Sequence, residues 1–98
     1  MKNITIAGTI GKDAATRDAG KSTVTGWSVA VDDGWGDNKK TLWFDCSLWG
    51  KRGEALERHL VKGGKVTVTG DLSTREYDGK TYMTVNANDV TLQGGKPQ

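Results

Sequence analysis

At 98 residues the chain has room for one domain with a single modest core, and its 35% apolar and 27% charged content excludes a disordered polyelectrolyte. A net charge of +2, from 14 Lys+Arg against 12 Asp+Glu, excludes the histone-like binders that rely on bulk positive charge. The lone Cys46 excludes an internal disulfide and fits a reducing compartment, and no apolar run has the length of a membrane span or a signal peptide, so a soluble, cytoplasmic protein is expected.

In chain order, residues 2–10 alternate, with Ile4, Ile6 and Ile10 on one face of a first strand and Gly8 marking a bend. Residues 11–21 are polar and read as a turn. Residues 23–31 form a second strand in which Trp27 alternates with Val29 and Val31, which assigns Trp27 to the core. A loop rich in Gly and Asp follows, Asp32-Asp33-Gly34-Trp35-Gly36-Asp37-Asn38, and then a third strand over 41–49. At residues 51–62 the period changes: Ala55, Leu56, His59 and Leu60 make a helical stripe among good helix formers, stopped by Gly63-Gly64. A fourth strand carries Val66 and Val68 inward and bends at Gly70. Residues 73–80 form a hairpin turning at Asp78-Gly79, and a fifth strand runs over 81–92. Residues 1–93 are expected to form one domain and 94–98 a short flexible tail.

The resulting order, β-β-β-α-β-β, is that of the five-stranded OB-fold Greek-key barrel, all-β with one helix. An open five-stranded sheet has the same order. The 14 Gly against one Pro favour the barrel, whose strands must bend sharply.

The third strand reads Leu42-Trp43-Phe44-Asp45-Cys46-Ser47-Leu48-Trp49. Alternation gives one face Leu42, Phe44, Cys46 and Leu48, a coherent core. The other face receives Trp43, Asp45, Ser47 and Trp49. Tryptophans grouped with Asp and Ser belong to a solvent side, either as an aromatic platform or as a surface covered by a loop or partner subunit. Trp35 lies between two glycines in a loop that offers no core, which favours the platform. Lys39-Lys40 precede this strand, Lys51-Arg52 follow it, and Arg75 lies near Tyr77 in the hairpin. Cations beside exposed rings suit a groove that follows a phosphate backbone while bases stack.

Other chemistries find no support. Ala19-Gly20-Lys21-Ser22 lacks the first glycine of a phosphate-binding loop, since residue 15 is Ala15. One His and one Cys cannot assemble a His/Cys metal cluster, and Asp32, Asp33 and Asp37 lack calcium-loop spacing and read as solvated turn residues. His59 reads as structural and Cys46 as an inert packing residue. No catalytic residue, metal or cofactor is expected.

The opening Asn3-Ile4-Thr5-Ile6-Ala7-Gly8-Thr9-Ile10-Gly11-Lys12-Asp13, the run from Leu42-Trp43 to Leu48-Trp49-Gly50-Lys51, and the run from Leu60-Val61-Lys62-Gly63-Gly64 to Gly70-Asp71-Leu72-Ser73-Thr74-Arg75 together resemble the bacterial and bacteriophage single-stranded DNA-binding proteins of the homotetrameric OB-fold family. The resemblance implies sequence-independent binding of single-stranded DNA in replication, recombination and repair, in the bacterial nucleoid or a phage-infected cytoplasm. It places Trp35, Trp43, Trp49 and Tyr77 on base-stacking positions and Lys51, Lys62 and Arg75 on basic positions near the phosphates. It implies a homo-oligomer, a tetramer or alternatively a dimer, with no membrane partner. Asp45, Ser73 and Glu76 depart from the family by standing where basic residues are usual. The family's linker and acidic tip do not follow residue 98, so recruitment of partner proteins through such a tip is not expected. The rival readings are an OB-fold protein-interaction module of the primosome-adaptor type and a cold-shock-like RNA binder.

Overall fold

The computed structural model describes residues 1–93; the expected tail, 94–98, lies outside the described residues. The strands are β1 (Asn3–Asp18), β2 (Thr23–Asp33), β3 (Lys40–Trp49), β4 (Lys65–Tyr77) and β5 (Lys80–Leu92). They close into a barrel in the order β1-β2-β3-β5-β4, with β4 returning to pair with β1. The barrel is therefore closed, not an open sheet. β3 and β5 pair in parallel from Phe44↔Met83 to Ser47↔Asn86, and the other pairings are antiparallel. No helix among the described residues is long and apolar enough to cross a membrane.

Period-two alternation puts one apolar row from each strand into a shared core. Ile6 and Ile10, Trp27 and Val29, Phe44, Cys46 and Leu48, Val66 and Val68, and Val85 are all buried. Burial, and then the neighbouring Asp45 carboxylate, push the Cys46 thiol up to about 12. At neutral pH Cys46 is a protonated, unreactive packing residue.

β1 is longer than its apolar alternation foretold, because residues 11–18 continue the strand. Its first half pairs with β4, Asn3↔Asp71 to Thr9↔Lys65, and its second half with β2, Thr9↔Ala30 to Asp18↔Thr23. Irregularities between Ile10 and Lys12 and between Lys12 and Ala15 turn it from one neighbour to the other. There the freed backbone groups pair with the β4 approach: the Ile10 and Ala14 N–H groups donate to the Gly64 and Leu60 carbonyls. The turn is confined to Ala19–Ser22, where the Ala19 N–H donates to the Ser22 carbonyl. The hairpin is likewise mostly strand. Tyr77↔Lys80 closes a two-residue turn in which Asp78 (φ 52°) and Gly79 (φ 79°) both take the left-handed conformation. The bend expected at Gly70 is a register shift, since Thr69 pairs with Asp89 but Gly70 with Ala87.

The helix is shorter than its composition foretold. α1 (Lys51–Leu56) gives way to a 3-10 turn over Glu57–His59. Leu60 is fully buried and Leu56 half-buried, but Ala55 and His59 are exposed, so the expected four-residue stripe is not the packing face. That face is Gly53. A Cβ there would lie 2.5 Å from the Leu48 carbonyl oxygen and 2.7 Å from Thr25 Oγ1. The helix thus approaches β2 and β3 closely through a residue that weakens helices, and it ends after six residues.

Candidate nucleic-acid interface

The outer face of the barrel is built by the other half of the alternation. Trp43 is 53% and Trp49 49% exposed, with the half-buried Asp45 and Ser47 between them. Six residues at strand rise separate the two tryptophan backbones by about 20 Å along β3. Directly opposite on β2 stand Ala30, Ser28, Gly26 and Val24, and beyond these on β1 stand Thr9, Lys12, Ala15 and Arg17. Directly opposed residues share a face. The sheet therefore presents an aromatic row on β3, a floor of small side chains on β2, and two cations on β1. A groove follows this floor, lined by Gly11, Lys12, Ala15, Arg17, Ser28, Asp45, Ser47 and Arg75 among others.

Trp43 owes its seat to Gly11. A Cβ at Gly11 would lie 2.5 Å from Cζ3 and 2.8 Å from Cη2 of the indole. The end of the ring therefore lies against the β1 backbone at Gly11, and about half of the side chain remains exposed. Gly11→Ala is expected to displace the ring outward, and because the clash is with the end of a side chain, the fold should accommodate it. The variant should melt within about 5 °C of the parent, on the order of 1 kcal/mol, with tryptophan emission shifted to the red. In a Trp43→Phe background the emission shift should vanish. A shift that persists there would place the perturbed indole elsewhere.

Arg75 reaches across β5 to this face. Its Nη2 donates to Asp45 Oδ2 at 3.0 Å, and its guanidinium stands 5.1 Å from the centroid of the Tyr82 ring. Tyr82 is its cross-strand partner, so the arginine's aromatic neighbour is Tyr82 rather than Tyr77. Tyr77 is 69% exposed at the hairpin tip, and Trp35 is 86% exposed in the β2–β3 loop just before a 3-10 turn over Gly36–Asn38. Lys39 and Lys40 pair with Asp32 (3.3 Å) and Asp33 (3.9 Å) where β2 and β3 meet the loop. Lys51 is exposed at the start of α1, two residues after Trp49. Lys62 is exposed, and its backbone N–H donates to Asp13 Oδ1 at 2.8 Å, which ties it to β1.

The structure thus brings Trp43, Trp49 and Arg75 to one face, and sets Trp35, Tyr77, Lys51 and Lys62 on the loops, hairpin and helix around the barrel. Lys12 and Arg17 escape a sequence reading because residues 11–21 look like a turn. The spacing of Ala15 and Arg17 against Ala14 and Thr16 is a strand signal, but it lacks the apolar members that make one visible. Among the described residues no three His, Cys, Asp or Glu side chains gather into a metal site.

Residues 1–93 match the model of the single-strand binding protein family. A single-stranded DNA-binding protein of Neisseria meningitidis is 27% identical over 107 residues, covering 98% of this chain and 62% of that protein. Single-stranded DNA-binding protein 1 of Chlorobaculum tepidum is also 27% identical, over 98% of this chain and 67% of its own length. The chain thus spans about three-fifths of the length of its Neisseria relative. In fold it is similar to a small single-stranded DNA-binding protein from Streptomyces coelicolor, with a TM-score of 0.81 at 18% identity, over 97% of this chain and 95% of that one.

Proposed function

Because the chain belongs to the single-strand binding protein family, we propose that it binds single-stranded DNA without sequence preference and covers it during replication, recombination and repair. The observation that carries this reading is the pair of half-exposed indoles, Trp43 and Trp49, on one polar face of β3 beside a small-residue floor. Every base has a π-face, so flat exposed rings hold single strands of any sequence. Trp35 and Tyr77 extend the stacking surface from the loop and the hairpin. Lys51, Lys62 and Arg75 supply phosphate contacts, joined by Lys12 and Arg17. The family is one of binding proteins, and the chain is read as a binder, not an enzyme. Residues 1–93 form the binding domain. A homo-oligomer, a tetramer by family resemblance or else a dimer, would pair surface that a barrel of this size leaves open, and the bacterial cytoplasm is the place of action.

Titration of tryptophan fluorescence tests the reading. Oligo(dT) and mixed-sequence oligonucleotides should quench strongly and with similar affinity, whereas duplex DNA, whose bases are already stacked, should not. If about three of these five cations each neutralise a phosphate, the slope of log K against log salt is roughly −2 per chain. A chain that leaves single strands unbound at low salt, or that prefers duplex, overturns the proposal.

A further inference from the structure

We propose that Asp45 is an internal counter-ion that holds Arg75 until a DNA phosphate displaces it, so that this one ion pair sets both the affinity and the salt dependence of the groove. The inference rests on the single-strand reading above. β3 places Asp45 between Trp43 and Trp49 on the outer face, and Arg75 crosses from β4 to donate to its Oδ2 at 3.0 Å. Both side chains remain open to solvent, at 56% for Arg75 and 42% for Asp45. Lys12 and Arg17, the other cations lining the groove, form no ion pair among the described residues. Arg75 is thus the groove cation that already carries an anion.

A solvent-exposed pair of this kind is weak, so a phosphate can take the guanidinium from it. The exchange gives up the attraction to Asp45, however. One attraction replaces another, and the net gain from Arg75 is small. Counter-ion release is also blunted, because a freed Asp45 attracts back the cations that the phosphate gives up. Tyr82 gives Arg75 a second support besides Asp45, since the guanidinium lies over that ring at 5.1 Å from its centroid. Removing the charge at residue 45 therefore leaves a cation already in place.

The test is a cycle of Asp45→Asn, Arg75→Gln and the double variant, each titrated with oligo(dT) at several salt concentrations, with melts to establish folding. Asp45→Asn should bind about three- to tenfold tighter at low salt, and its slope of log K against log salt should steepen by about 0.7, one more phosphate neutralised on a single strand. Arg75→Gln should weaken binding less in the parent than in the Asp45→Asn background, by that same factor. Weaker binding by Asp45→Asn overturns the inference, because Asp45 would then orient Arg75 for DNA. An equal gain from Asp45→Asn with and without Arg75 also overturns it, because Asp45 would then repel the strand directly. A parent protein that binds no single strand overturns the functional reading itself, and the inference falls with it.

Discussion

Trp27→Ala should lower the stability of the barrel by about 3–5 kcal/mol, a large part of the 5–15 kcal/mol that holds a domain of this size together. Trp27 is only 3% exposed and packs in the same core cluster as Val29, Phe44 and Leu48. Its removal leaves a void that strands fixed at both edges in a closed barrel cannot collapse to fill. Melts at matched protein concentration should fall by roughly 15–30 °C. Trp27→Phe separates shape from polarity. The indole Nε1 is buried with no hydrogen-bond partner among the described residues, so phenylalanine deletes volume without deleting a hydrogen bond. It should cost less than half as much as alanine. At temperatures where both variants are folded they should keep the parent's affinity for single strands, because the side chain faces inward. A Trp27→Ala protein that melts with the parent would show that the core does not depend on this ring.

The same ring shows why the core was legible in the sequence. Trp27, Val29 and Val31 alternate, as do Phe44, Cys46 and Leu48, and alternation alone separates a buried row from an outward one. The contrast between Trp27 and Trp43 was readable because their neighbours two residues away differ in polarity. What escaped was structure specified by absence. The second half of β1 contributes only Ala14 to the core, so no apolar row announces it, and Lys12 and Arg17 were lost with it. The packing face of α1 is a glycine, which no hydrophobic stripe reveals, and the true stripe shrinks to Leu56 and Leu60. Gly11 is conspicuous only once Trp43 is seen lying over it from two strands away. The pairing of Asp45 with Arg75 joins residues 30 apart in sequence, and the sequence showed the acid only as a misplaced charge. Local period carried the barrel. The groove's floor and its internal ion pair depend on which strands become neighbours.

Trp43→Ala and Trp49→Ala should each weaken binding to oligo(dT) by about 1–3 kcal/mol, roughly five- to 150-fold. Both indoles are about half exposed and stand on a strand of the barrel, and Trp43 lies against the backbone at Gly11. A half-buried ring on a strand loses little freedom when a base lands on it, so most of the stacking energy reaches the affinity. Trp35 differs. It is 86% exposed on a loop and must be ordered on binding, so Trp35→Ala should fall at the low end of that range. At a backbone separation of about 20 Å, Trp43 and Trp49 stack separate bases and share no partner, so their losses should add, giving roughly 2–6 kcal/mol for the double variant. Melting should change little, since neither ring belongs to the buried core. A double variant that binds oligo(dT) as tightly as the parent while melting far earlier would mean that the two rings stabilise the barrel or a subunit contact instead of holding DNA. A double variant no weaker than either single one would mean that the two contacts are not independent, because losing one ring already takes the strand off the other.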